Sequence, residues 1–123
     1  MVKYWVALAL LLIPSLTFAG ENALAEVNAA RAARGLRPFL EDPNLTAAAS
    51  AASDFRAAYR IAGHTSNDFG FLPAGCFCPA AGCAAWEPSW GWGSCCTYEN
   101  WTYAGAAYAH GSDGRRYMHL FVR

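Results

Sequence analysis

After Lys3 the chain contains no lysine, and its arginines form no basic block. Basic and acidic residues number nine each, so the formal net charge is zero. The electrostatic footprint of a nucleic-acid or anionic-membrane binder is therefore missing. No Cys-x2-Cys pair occurs, which removes the commonest zinc-ribbon spacing. No Gly-x-Ser-x-Gly string occurs, which removes the nucleophile elbow of an α/β-hydrolase. Internal repeats, linkers and low-complexity tails are absent too, leaving room for one small domain.

What is present begins with an export signal. Lys3 supplies a charged start, Val6 to Ile13 an apolar run, and Thr17-Phe18-Ala19 a small-x-small cleavage site. The run falls short of the ~20 residues of a transmembrane helix. Residues 1–19 are read as a signal peptide and 20–123 as a single domain. No cysteine stands at the cleavage point to carry a lipid. The expected location is secreted or periplasmic, with no stable membrane span after cleavage. Five cysteines then meet an oxidising compartment, where a domain this small gains from staples.

Two helices are expected first. Asn22 is a plausible N-cap for a helix to Arg34, with Gly35 just past its end. Leu24, Val27 and Arg31 share a face, with Asn28 beside them; Asn28 and Arg31 are either core hydrogen-bonders or solvated. Asp42-Pro43 opens the second helix, since proline lacks an N–H where none is needed. Leu45, Ala48, Ala52, Phe55, Tyr59 and Ala62 continue it to a C-terminal Gly63, with His64 beyond.

From Thr65 to Trp101, glycine and proline interrupt every period. A long ordered loop is expected, held by aromatic packing and by disulfides among Cys76, Cys78, Cys83, Cys95 and Cys96. A bridge between adjacent Cys95 and Cys96 would be strained, so each should bond a separate partner. The odd thiol is either buried or the link of a dimer. A thiolate zinc site is the competing reading. The tryptophans either fill the core or line a groove, in which case Trp90, Trp92 and Trp101 are ligand-contact candidates. Ser66 and Asp68 near His64 read as turn formers.

Tyr103 to His110 and Arg115 to Val122 form a hairpin about an Asp113-Gly114 turn signal. With a two- or four-residue loop, Tyr108, His110, Tyr117, His119 and Phe121 share one face. Gly105, Ala107, Ala109, Met118, Leu120 and Val122 then share the other, which is expected to pack on a helix. A three-residue loop would break that grouping.

Val27-Asn28-Ala29-Ala30-Arg31, Gly35-Leu36-Arg37-Pro38-Phe39, Asp42-Pro43-Asn44-Leu45 with Ala47-Ala48, and then His64 resemble the opening half of a CAP domain. This is the SCP domain of cysteine-rich secretory, antigen 5 and pathogenesis-related proteins. Tyr103 to Ala107 and Gly114 to Tyr117 resemble its closing hairpin. The resemblance implies an α+β fold, an α-β-α sandwich with two N-terminal helices packed on a small antiparallel sheet. It also implies a cleft of two His and two Glu that holds a divalent metal in some members. His64 matches the first histidine. Glu99, in Tyr98-Glu99-Asn100, matches the first Glu without its preceding glycine, and a rival register puts Cys83 there. The second Glu and second His have no place before the closing hairpin, although His110 or His119 could complete a set from the sheet. His64 and Glu99 are thus the metal candidates, zinc being the expected ion if any is bound, and two ligands fall short of the usual three.

The expectation is a shortened secreted CAP-like domain that binds without catalysis and without a cofactor. Its partner would be an extracellular lipid, glycan or protein, contacted near His64, Glu99, Trp90, Trp92 and Trp101. The alternatives are a metal-dependent hydrolase using His64 and a structural envelope or assembly protein.

Overall fold

Among the described residues, two helices and four strands form in the order α1 (Ala19–Ala32), β1 (Leu40–Glu41), α2 (Pro43–Tyr59), β2 (Ala81–Glu87), β3 (Tyr103–His110) and β4 (Arg116–Val122). Short 3-10 turns lie at Asp68–Phe71 and Cys95–Tyr98. The computed structural model describes residues 19–76, 78, 81–87, 91–92 and 95–123. The expected signal segment up to residue 18, and Trp90, lie outside them. No helix among the described residues is long and apolar enough to cross a membrane.

The start of α2 follows its sequence signal. Asp42 stands in extended conformation and its Oδ1 accepts the Asn44 N–H at 2.9 Å, with Pro43 as the first helical residue. Its end comes earlier than the expected Gly63. Arg60 takes the left-handed conformation at φ 55°, and the Ile61 N–H turns back to the Arg56 carbonyl at 2.9 Å. The cause is tertiary. The buried Arg56 guanidinium collects the carbonyls of Ile61 and Gly63, which draws the chain back across the helix end. Helix α1 begins before Asn22 and closes at Ala32, where Gly35 (φ 71°) and the Leu36 N–H to Arg31 carbonyl bond, 3.0 Å, cap it.

The four strands make one sheet in the order β1-β3-β4-β2. It is mixed rather than antiparallel, because β1 runs parallel to β3. Strand β2 replaces part of the expected loop and pairs with β4 from Ala81↔Val122 to Glu87↔Arg116. Its sequence, Ala-Gly-Cys-Ala-Ala-Trp-Glu, has no alternation to announce a strand. The edge of β4 supplies the order.

The hairpin has the three-residue loop. Gly111 N–H donates to the Arg115 carbonyl at 2.9 Å, and Ser112-Asp113-Gly114 turn between them with Gly114 at φ 78°. The expected faces are therefore regrouped. Gly105, Ala107 and Ala109 stand opposite Phe121, His119 and Tyr117, while Ala104, Ala106 and Tyr108 stand opposite Val122, Leu120 and Met118. Paired residues share a face, so each face sets alanine or glycine on β3 against large residues on β4, with Tyr108 the one large β3 residue among these pairs.

This regrouping lets a helix lie on each face. Val27, Leu24 and Ala23 of α1 pack with Ala104, Ala106, Met118, Leu120 and Val122. Leu45, Ala48 and Ala49 of α2 pack with Ala107 and Phe121. Helix α2 comes very close: a Cβ on Gly105 would stand 2.0 Å from the Thr46 nitrogen and 2.1 Å from the Leu45 carbonyl carbon. Glycine at 105 is what permits that approach.

The disulfide expectation changes as well. No disulfide links Cys76, Cys78 and Cys96 to one another. Cys76 and Cys78 pack with the α2-side cluster, and Cys96 is buried in the α1-side cluster. The sheet stands between them, so neither Cys76 nor Cys78 is placed to bridge Cys96.

Candidate functional site

Two polar constellations interrupt the apolar layers, one on each side of the sheet. The first is centred on Arg56 in α2, which is 2% exposed. Its Nε–H donates to His119 Nδ1 at 3.1 Å, and its Nη2 pairs with Asp68 Oδ1. Asp68, itself buried, also accepts from the Thr65 N–H and Oγ1, both at 3.0 Å. His64 Nδ1 lies 2.5 Å from Asp68 Oδ2, with the ring about half exposed. Burial works against a charge on Asp68. The Thr65 and His64 hydrogen bonds and the Arg56 charge outweigh it and hold the carboxyl below its usual range.

His119 is fully buried at the centre of the sheet, its ring 4.4 Å from that of Phe121. Burial, and then the Arg56 charge, push its pKa down to about 3. Arg56 donates to Nδ1, which assigns the single proton of the neutral ring to Nε2. That Nε2 has no hydrogen-bond partner among the described residues. It faces Gly82, where a Cβ would come within 2.9 Å.

The second constellation is centred on Arg31 in α1, 2% exposed and stacked 3.8 Å from the centre of the Phe39 ring. Its Nε donates to the Arg37 carbonyl at 2.7 Å, and its Nη1 to the carbonyls of Thr97 and Glu99, each at 2.8 Å. Asn28 works beside it. Its Nδ2 donates to the Phe39 carbonyl at 3.1 Å and its Oδ1 accepts the Phe39 N–H at 2.7 Å. Arg31 is a buried hydrogen-bonder and Asn28 a half-buried one, so neither is merely solvated. They fasten the 36–39 loop and the 97–99 segment to the same helix.

The β1–β3 ladder completes this region. Leu40 N–H donates to the Thr102 carbonyl at 3.0 Å, and Asp42 N–H to the Ala104 carbonyl at 2.9 Å. Beside this ladder lies an open hollow of about 250 Å³ lined by Arg37, Pro38, Leu40, Trp101 and Thr102. Leu40 is 56% exposed there. The Trp101 ring packs partly against the α1-side core, and its indole N–H donates to the exposed Glu99 Oε1 at 3.1 Å.

The sequence-derived candidates separate on this framework. Trp101 lines the hollow, and Glu99 accepts its indole N–H. Trp92 does not line a groove: it is 7% exposed, packs in the α1-side core and donates to Glu26 Oε1 at 3.2 Å. Trp90 is outside the described residues. His64 joins the α2-side network, whereas Glu99 belongs to the α1 side, so the two are not brought together. His110 is exposed and meets Tyr108 edge-on at 5.9 Å. Among the described residues no group of three His, Cys, Asp or Glu could hold a metal ion. Arg37, Pro38 and Leu40 were not singled out by sequence reasoning; only the resemblance touched the loop that bears them. Asp68, read as a turn former, is the common acceptor of Arg56, Thr65 and His64. Scanned against protein-family models and against curated proteins, the chain matches none.

Proposed function

We propose that this chain is a secreted, CAP-like binding module whose ligand seats in the Trp101 hollow. The observation that carries the reading is the partly open Trp101 ring, hydrogen-bonded to Glu99 and set beside an exposed Leu40. Exposed apolar and aromatic surface in a concave site is the usual mark of ligand contact. The helices on opposite faces of the sheet are compatible with the CAP-like sandwich. Export of the chain is part of the same proposal.

The hollow is smaller than the ~300–1,000 Å³ of sites for drug-sized molecules. It suits one ring of a glycan, or a short apolar group, better than a sterol or a long acyl chain. Binding is tested by tryptophan fluorescence and calorimetry with glycosides and short fatty acids. A response that Trp101→Ala abolishes, and Trp92→Phe keeps, is expected. Silence across the panel would remove the proposal.

A metal-dependent hydrolase finds one supporting feature, the Asp68 carboxylate that orients His64 as outer carboxylates orient ligating histidines. The other donors do not fit. Glu99 lies on the far side of the sheet, and His119 presents a protonated Nε2 rather than a lone pair.

A further inference from the structure

The hollow also carries a charge that no ion pair among the described residues answers. Eight arginines follow Lys3. Arg31 and Arg56 are buried donors, Arg116 pairs with Glu26 and Glu87, and Arg123 with Asp42. Arg34 and Arg115 lie over the rings of Tyr98 and Trp86, at 3.5 and 3.7 Å. Arg37 and Arg60 alone have no side-chain partner among the described residues. Arg60 stands at the end of α2, whereas Arg37 lines the hollow. The acid nearest in sequence to Trp101, Glu99, keeps its charge while it accepts the indole N–H, and it forms no ion pair with Arg37. Arg31 lies behind the Arg37 backbone. Burial, and after it the Arg37 charge, lower its pKa. An anion seated on Arg37 would relieve that repulsion.

An arginine, a tryptophan and a threonine lining one hollow suit one ligand chemistry in particular. An acidic sugar offers a carboxylate for the guanidinium fork, a face of C–H groups for the indole, and hydroxyls for Thr102. We propose that the hollow is selective for a hexuronic acid residue of a glycan, its ring on Trp101 and its carboxylate on Arg37. This inference rests on the binding-module reading.

The test compares methyl glucuronide with methyl glucoside on the full mature chain, by calorimetry and tryptophan fluorescence. The uronide is expected to bind about tenfold tighter at low salt, as one charge-assisted contact allows. The advantage shrinks as salt rises, because Arg37 is exposed. Arg37→Gln should bring the two sugars within about twofold of each other while leaving the fold's thermal transition in place. Equal binding of the two sugars by the wild type, or a preference that survives Arg37→Gln, overturns the assignment and leaves the binding module standing. If a short fatty acid binds through Trp101 and neither sugar does, the assignment again falls alone. If nothing binds, both fall.

Discussion

Arg56 donates its Nε–H to Nδ1 of His119 at 3.1 Å, both side chains being buried. One interaction thereby fixes a histidine tautomer, bonds α2 to β4 and holds a cation beside Asp68. It also explains why α2 stops where it does, since the same guanidinium takes the carbonyls of Ile61 and Gly63.

The first prediction concerns pH. The folded state keeps His119 neutral down to about pH 3, whereas the unfolded chain protonates it near 6.5. As pH falls through that window the unfolded state binds a proton that the folded state refuses. Stability therefore drops with pH, by up to about 1.4 kcal/mol per unit. Asp68 acts in the same sense at lower pH: its depressed pKa stabilises the fold above 3.8, and that contribution is lost as pH falls through the folded value. Urea midpoints between pH 7 and 4 should decline more steeply for the wild type than for His119→Gln. Parallel slopes would contradict the burial of a neutral histidine.

Removing the cation beside Asp68 is a separate test. Arg56→Met leaves Asp68 buried without its cation and the two carbonyls without a donor. A loss of about 3–5 kcal/mol is expected for an uncompensated buried charge. The double variant Arg56→Met, Asp68→Asn should recover part of it, measured by chemical denaturation.

Backbone contact sets a third prediction. Gly105→Ala puts a methyl group into the Leu45–Thr46 backbone, which no rotamer change relieves. Its cost should reach about 3 kcal/mol, at the upper end for overpacking. Gly114→Ala, where a Cβ meets open space but φ is 78°, should cost only about 1–2 kcal/mol. Arg60→Gly should stabilise slightly, because it relieves a left-handed residue at φ 55°.

The hollow depends on its supports. Asn28→Ala frees the Phe39 N–H and carbonyl together, and should loosen the 36–40 segment at about 1–3 kcal/mol. Hydrogen exchange at Phe39 and Leu40 should quicken while exchange in β4 stays slow.

Much of this architecture was legible from local signals. Asp42-Pro43 located the start of α2, and Asp113-Gly114 located the hairpin. What stayed hidden was set by partners far along the chain. The hairpin register turned on one loop residue, because a side chain changes face with every step of pairing. Strand β2 carried no alternation, and the two residues of β1 carried no period at all. The stop at Arg60 depended on where the Arg56 guanidinium finds its acceptors. Trp101 stood among the candidate ligand contacts from its residue type. The rest of the hollow required knowing that Leu40 pairs beside Thr102, a parallel contact that no local sequence pattern encodes.

The most direct measurement is an amide and indole NMR titration of residues 20–123 with the methyl glycosides. The account predicts saturable shifts at the Trp101 indole N–H and at the Leu40 and Thr102 amides, with His64 and its neighbours unmoved. Shifts centred on His64, Thr65 and Asp68 with the Trp101 region silent would contradict it.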